Sequence, residues 1–85
     1  RSEKMKQRIN IEETSLNVLV GLKIKHIRQS LKYSQEEFAW KLGIHRTYLG
    51  QIERAEKNIS IKNIEKICKA LDIEPKELFD FDDLV

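Results

Sequence analysis

The chain has 85 residues, enough for one small domain with a single core, and this length excludes large enzyme scaffolds such as a (β/α)₈ barrel. Hydrophobic residues make up 40% and charged residues 35% of the sequence, a balance that favours a folded globule over a disordered chain. Three Gly and one Pro disfavour an all-β fold with many turns. The single Cys excludes an internal disulfide and indicates an intracellular protein.

Charge is unevenly distributed along the chain. Residues 1–69 carry fifteen Lys or Arg against eight Asp or Glu, whereas residues 70–85 carry one Lys against six acidic residues. A basic body with an acidic end favours a surface that binds a polyanion such as nucleic acid, although a helical domain with solvated charges gives the same pattern. The longest apolar run, Val18–Val20, is far too short to span a bilayer, so no membrane partner is expected.

The N-terminal part is predicted to contain an arm over residues 1–14 and then a helix that begins at Ser15 or Asn17. The arm is polar, and we expect it to be loosely ordered, although Ile9 and Ile11 are able to pack. The helix is predicted because apolar residues recur every three or four positions. These residues are Leu16, Val20, Ile24, Ile27 and Leu31, with Lys23, Lys25, Arg28 and Lys32 between them.

A second helix is predicted over residues 35–42. Ser34 and Glu37 have the spacing of a capping box at its start, and Gly43 is a natural residue to end it. Trp40 is expected to be partly buried against the first helix or a dimer face. The side chains expected to face the core are Phe38, Ala39 and Leu42.

Three further helices are predicted. The third covers residues 45–54, the fourth begins after Ser60, and a short fifth begins near Pro75, which suits the first turn of a helix. Residues 81–85 are expected to form an acidic tail. The apolar residues expected to face the core are Leu49, Ile52, Ile61, Ile64, Ile67, Cys68 and Leu71. The sequence therefore predicts an all-α, compact five-helix domain over residues 15–80.

The helix pair at residues 34–54 is the part of the sequence that indicates a function. Two short helices joined by a tight turn containing Gly are typical of the DNA-binding helix-turn-helix, whose second helix enters the major groove. Gly43 is expected to take the left-handed conformation that the turn needs, and Ile44 to hold the two helices together. Many helical domains contain such a pair, so the pair alone does not establish the function.

Four runs of sequence resemble the phage-repressor and Cro type of helix-turn-helix domain, also called the xenobiotic-response-element family. The runs are VGLKIKHIR at 20–28, YSQEEFA at 33–39, LGI at 42–44 and YLGQIER at 48–54. Residues 58–79 continue the resemblance, and residues 45–48 and 54–60 are most similar to the controller proteins of restriction–modification genes. The resemblance implies a lambda-repressor-like fold and a sequence-specific, DNA-binding transcriptional regulator, such as a repressor, rather than an enzyme.

The resemblance also implies roles for individual residues. The residues at positions that contact bases are Arg46, Thr47, Tyr48 and Gln51. The residues at positions that contact the DNA backbone are Ser34, Gln35, Arg54, Asn58 and Lys62. Arg28 and Glu53 match an ion pair that ties the first helix to the third. Ala55 stands where many members of the family carry Gly.

Several of these residues have a simpler structural alternative. Arg46 also fits an ordinary surface residue near a helix N-terminus, Gln35 an ordinary first-turn residue, and Tyr48 a side chain folded back onto the core. Thr47 and Gln51 also fit solvated positions. Cys68 is expected in the core, and with two His in the chain neither a metal site nor a cofactor is expected.

The resemblance further implies a homodimer on double-stranded DNA with two inverted half-sites, since one small module offers few base contacts. In this family the fifth helix and its flanks form the two-fold contact, and the apolar residues there are Ile73, Leu78, Phe79, Phe81 and Leu84. No small-molecule effector is expected to bind within the chain. The protein is expected in the cytoplasm, associated with the nucleoid. A second hypothesis, which the acidic end and the arm support, is an antitoxin or adaptor that binds another protein.

Overall fold

The computed structural model describes residues 9–85, in which every regular element is helical. The five α-helices are α1 (Leu16–Ser30), α2 (Gln35–Leu42), α3 (Arg46–Glu53), α4 (Ile61–Leu71) and α5 (Pro75–Leu78). Two short 3₁₀ helices, Ile11–Glu13 and Asp82–Leu84, lie near the two ends of the described chain. The prediction of an all-α, five-helix domain is confirmed. No helix in this part of the chain is both long and apolar enough to cross a membrane.

Both ends of α2 are determined by short-range hydrogen bonds and backbone geometry. The Ser34 hydroxyl accepts from the Glu37 N–H at 3.1 Å, and the Ser34 N–H donates to the Glu37 carboxylate at 3.0 Å, so the predicted capping box is present. Gly43 follows with a φ of 75°, a left-handed conformation that costs Gly little. The turn into α3 is therefore fixed by residues that lie within ten positions of one another.

The other helices begin where a side chain or Pro satisfies the first turn. His45 precedes α3, and its Nδ1 accepts from the Thr47 N–H at 3.0 Å. Ser60 precedes α4 and accepts from the Asn63 N–H at 3.1 Å. Pro75 occupies the first turn of α5, where its missing N–H has no helical partner to lose.

The core lies where α1 and α2 pack against α3, with α4 and α5 closing it. Its buried members are Leu19, Val20, Ile24, Phe38, Ala39, Leu42, Leu49, Ile52, Ile67, Cys68, Leu78 and Phe81. Gly21 lets α1 approach α3 closely, because a Cβ at this position would overlap the backbone carbonyl of Ile52. This close approach sets the position of α3 against α1.

Three large apolar side chains are more exposed than their helical pattern predicts, with Leu16 58% exposed, Leu31 50% and Ile61 83%. Trp40 is 86% exposed, so it is not buried against the first helix, which was one of its two expected positions. Leu16 and Ile61 are the first residues of α1 and α4, and Leu31 follows the end of α1, so each lies at the limit of the helix that the periodicity predicts. Periodicity defines which face of a helix is apolar, but it does not define how far along that face a neighbouring helix extends.

The C-terminal residues are part of the folded domain instead of a solvated tail. Leu78 is fully buried and Phe81 is 8% exposed, so these two of the residues predicted for the dimer interface lie in the core of the folded monomer. The segment packs against α1, where the Asp83 carboxylate accepts from the Nζ of Lys23 at 2.8 Å. Lys23 is consequently buried, although its position between the apolar residues of α1 gave no indication of this.

The start of the described chain is also attached to the core. Asn10 accepts hydrogen bonds from the N–H groups of Glu12 and Glu13 and so caps the first 3₁₀ helix. Ile9 and Ile11 are half-buried against the core. Residues 9–14 are thus packed on the domain, and the rest of the predicted arm, residues 1–8, lies outside the described residues.

Candidate nucleic-acid interface

The first turns of α2 and α3 line the same open cleft, which has a volume of about 480 Å³. The residues that line it are Ser34, Gln35, Glu36, Arg46, Thr47, Gly50 and Arg54. Backbone N–H groups at helix N-termini lack helical partners and carry the positive end of the helix dipole, so two such ends at one cleft favour an anion such as phosphate.

The side chains predicted to contact bases differ in their exposure to solvent. Arg46 and Thr47 are exposed on the first turn of α3 and line the cleft, whereas Gln51 is half-buried further along the helix. Tyr48 is half-buried against the core, and its hydroxyl accepts from Asn63 Nδ2 at 3.0 Å. The structure therefore brings Arg46 and Thr47 together at the cleft and favours the structural alternative for Tyr48, which connects α3 to α4.

A buried network fixes the relative positions of α1, α2 and α3. Arg28 donates from Nε and Nη2 to the two carboxylate oxygens of Glu53, at 2.8 and 3.1 Å, and from Nη1 to the carbonyl of Tyr33 at 3.1 Å. The Glu53 side chain is 2% exposed and that of Arg28 12%, so the pair is largely removed from water. Gln35 Nε2 donates to the same carboxylate at 2.9 Å.

The Gln35 contact gives this residue a structural role that sequence reasoning missed. Its amide nitrogen is used within the protein, where it holds the first turn of α2 against α3. The Gln35 amide nitrogen carries a second N–H, and the hydroxyl of the neighbouring Ser34 accepts from the Glu37 N–H. The sequence showed only that polar residues lie near the starts of α2 and α3. Which partner each of these side chains meets depends on the tertiary structure.

The remaining residues assigned to DNA-backbone contacts are exposed. Arg54 lines the cleft and donates to Glu56 at 2.8 Å, and this hydrogen bond lowers the pKa of the Glu56 carboxyl below its ordinary value. Asn58 and Lys62 are exposed but do not line the cleft. Ala55, two residues after the end of α3, has a φ of 60°, the left-handed conformation that Gly adopts most easily.

A separate apolar groove of about 620 Å³ lies between α4 and α5. Of the residues predicted to form a dimer interface, Ile73 and Phe79 line this groove, whereas Leu78 and Phe81 lie in the core. Ile61 and Ile64, which were expected to face the core, line it as well. Cys68 forms part of its floor, and burial raises the pKa of the Cys68 thiol, with the negative charge of Glu77 adding to the effect.

Comparisons with known proteins identify the family. The family model described as helix-turn-helix matches residues 24–78, which is more than half of the chain. Over 68 residues the chain is 47% identical to the control protein C.BamHI of Bacillus amyloliquefaciens, an alignment that covers 79% of this chain and 84% of that protein.

Solved structures agree with this comparison. The restriction–modification controller protein C.AhdI from Aeromonas hydrophila has a TM-score of 0.68 at 42% identity, covering 73% of this chain and 94% of that one. SinR, the master regulator for biofilm formation, was solved in complex with DNA and has a TM-score of 0.64 at 39% identity, covering 72% and 98%. The resemblance found in the sequence is confirmed, and the chain belongs to the helix-turn-helix family HTH_3.

Proposed function

We propose that the protein is a sequence-specific, DNA-binding transcriptional regulator that binds an inverted-repeat operator as a homodimer. The observation that carries this proposal is the cleft at which the first turns of α2 and α3 meet, with Arg46 and Thr47 exposed along it. The similarity to C.BamHI and C.AhdI supports a regulator of the restriction–modification controller type.

In this proposal α3 enters the major groove with its N-terminal end at the base edges. Arg46 donates in bidentate fashion to O6 and N7 of a guanine, the commonest specific contact in the major groove, and Thr47 contacts a neighbouring base. Gln51, half-buried one turn further along α3, is suited to N6 and N7 of an adenine. The free N–H groups at the start of α2 bind a phosphate and set the register of the domain on the duplex.

The buried network supports this arrangement by holding α3 rigidly. Glu53, at the end of α3, is bonded to Arg28 of α1 and Gln35 of α2, and Tyr48 is bonded to Asn63 of α4. A helix that is fixed from three sides presents its first turn in one orientation, so less conformational entropy is lost when DNA binds. The exposed cations Arg54 and Lys62 then add phosphate contacts that strengthen binding to any sequence.

The groove between α4 and α5 is the surface that we assign to the dimer. Ile61 is 83% exposed at its edge, and Ile64, Ile73 and Phe79 are half-buried in it, so a second copy would cover apolar surface that the monomer leaves in water. A two-fold dimer that reads two successive major grooves has its two copies of α3 about 34 Å apart, one turn of B-DNA, and binds inverted half-sites.

Selection of bound sequences from a pool of random duplexes tests the proposed DNA recognition and its symmetry together. We expect one enriched motif with two inverted half-sites whose centres are about 10 base pairs apart. A pool that shows no enrichment would contradict sequence-specific binding. An enriched motif without two-fold symmetry would contradict the homodimer but not the DNA recognition.

Sedimentation equilibrium tests the dimer surface. Ile61→Glu places a charge in the groove at an exposed position, so it should leave the fold intact and shift the protein to monomer. Leu16→Glu is a matched control, because Leu16 is also exposed but does not line the groove. Wild-type protein that is monomeric at tens of micromolar would contradict the homodimer, and an Ile61→Glu variant that remains dimeric would place the interface elsewhere.

A further inference from the structure

Glu36 is an acidic residue on a surface to which the proposed function assigns DNA binding. Among the described residues that line the cleft, it is the only one with a carboxylate. Its side chain is 77% exposed, so burial does not explain its position. A negative charge beside a phosphate-binding surface opposes the binding of DNA of any sequence.

The other carboxylates of α2, of α3 and of the residues directly after α3 are each committed to another contact. Glu37 accepts from the Ser34 N–H and so caps α2, and Glu53 is buried with Arg28 and Gln35. Glu56 pairs with Arg54. Glu36 instead lies opposite Arg46, and its Oε1 accepts from Arg46 Nη1 at 3.4 Å.

The geometry of this contact leaves the recognition edge of Arg46 free. A guanidinium has five N–H donors, and the contact with Glu36 uses Nη1, so the edge formed by Nε and Nη2 remains available for two hydrogen bonds to a guanine. Arg46 lies at the N-terminus of α3, where the helix dipole disfavours a cation, and the carboxylate compensates for that charge.

We propose that Glu36 is a positioning residue that increases the sequence specificity of Arg46, an inference that rests on the proposed function. In this proposal the ion pair is kept when Arg46 binds a base edge, and it is lost when the side chain turns away from Glu36 toward the DNA backbone. Glu36 therefore lowers the affinity for unrelated DNA more than the affinity for the operator. The ratio of the two affinities is the quantity that measures this effect.

Glu36→Gln tests the proposal because it removes the charge and keeps the shape. The dissociation constants of wild type and variant are measured on the selected operator and on a random duplex at several salt concentrations. We expect affinity for the random duplex to rise and the specificity ratio to fall about two- to fivefold, the range of an exposed ion pair. A repeated selection should show a relaxed preference at the base that Arg46 reads.

Two further variants separate positioning from a general effect of charge. Glu12→Gln makes the same change of charge in the N-terminal 3₁₀ helix, outside the cleft, and should leave the ratio unchanged. In an Arg46→Gln background, Glu36→Gln should no longer change the ratio, because the residue through which it acts is absent.

The outcomes distinguish this inference from the proposed function. Wild-type protein with equal affinity for all duplexes would overturn both. Wild-type specificity with an unchanged ratio for Glu36→Gln would overturn the role of Glu36 alone. An equal fall in the ratio with and without Arg46 would also overturn it, because Glu36 would then act independently of Arg46.

Discussion

Removal of Arg28 is the perturbation for which the structure gives the clearest expected magnitude. Arg28→Ala deletes both hydrogen bonds from the guanidinium to Glu53 and leaves a carboxylate that is 2% exposed with one remaining donor, Gln35 at 2.9 Å. Breaking a buried ion pair by removing one partner costs about 3–5 kcal/mol, because the other charge stays buried without compensation. In a domain of this size each 1 kcal/mol lowers Tm by about 4–8 °C, so the expected loss is about 12 °C or more.

Removal of the other partner, Glu53, should lower the free energy of unfolding by less. Glu53→Ala leaves Arg28, which is 12% exposed and keeps its hydrogen bond to the Tyr33 carbonyl at 3.1 Å, so its charge is better compensated. The double variant should be less destabilised than the sum of the two single variants, since neither charge is then left alone.

Urea unfolding followed by far-ultraviolet circular dichroism measures these differences. Fluorescence of Trp40 is a poor probe, because the side chain is already 86% exposed in the folded domain. Lys69→Ala is the control, since it removes an exposed pair with Glu65 at 3.5 Å and should change the free energy of unfolding by about 0.5 kcal/mol or less. If Arg28→Ala were no more destabilising than Lys69→Ala, the buried network would not hold the three helices together.

Three further predictions follow from single residues. Ala55→Gly should raise the free energy of unfolding by about 0.5–1 kcal/mol, measured by urea unfolding, because Ala55 has a φ of 60° and a side chain costs about 1–2 kcal/mol there. Gly21→Ala should lower Tm sharply, because the new Cβ meets the backbone carbonyl of Ile52, which cannot move aside as a side chain can; an unchanged Tm would contradict the close approach of α1 and α3. Cys68 should react with a thiol reagent at pH 8 more slowly in the folded protein than in urea, because burial raises its pKa and lowers the thiolate fraction; equal rates would show that the thiol is accessible.

The features that sequence analysis predicted well are those determined within a few residues. Ser34 and Glu37 start α2 and Gly43 ends it, and the observed bounds equal the predicted ones. Ser60 and Pro75 mark the starts of α4 and α5 in the same way. A capping side chain or a left-handed Gly acts on neighbouring backbone groups, so its effect can be read without knowledge of the tertiary structure.

The features that sequence analysis missed depend on contacts between distant residues. Lys23 is buried because Asp83, sixty positions later, supplies its partner, and Leu78 and Phe81 are in the core because α5 turns the chain back toward α1. The resemblance assigned Gln35 to a contact with the DNA backbone and gave no indication that its amide donates to Glu53, eighteen positions later. Hydrophobic periodicity and motif spacing contain no information about which of several equivalent partners a side chain meets.

The surface that we propose to read DNA was predicted in part. The resemblance of residues 33–54 to known helix-turn-helix sequences indicated Arg46 and Thr47, and the structure brings both to the cleft. It gave no indication of Glu36, because an exposed acid in a first turn is ordinary for any helix. Its significance follows from its 3.4 Å contact with Arg46, which is a tertiary feature.

The central claim, that α3 reads DNA sequence, is tested most directly by comparing Arg46→Ala with Lys62→Ala on the selected operator and on a random duplex. We expect Arg46→Ala to lose about 1–3 kcal/mol on the operator and to relax the preference at one base pair. Lys62→Ala, an exposed residue of α4, should weaken both duplexes by the same factor and reduce the salt dependence by about one phosphate contact. Wild-type affinity and unchanged base preference for Arg46→Ala would contradict the placement of α3 in the major groove.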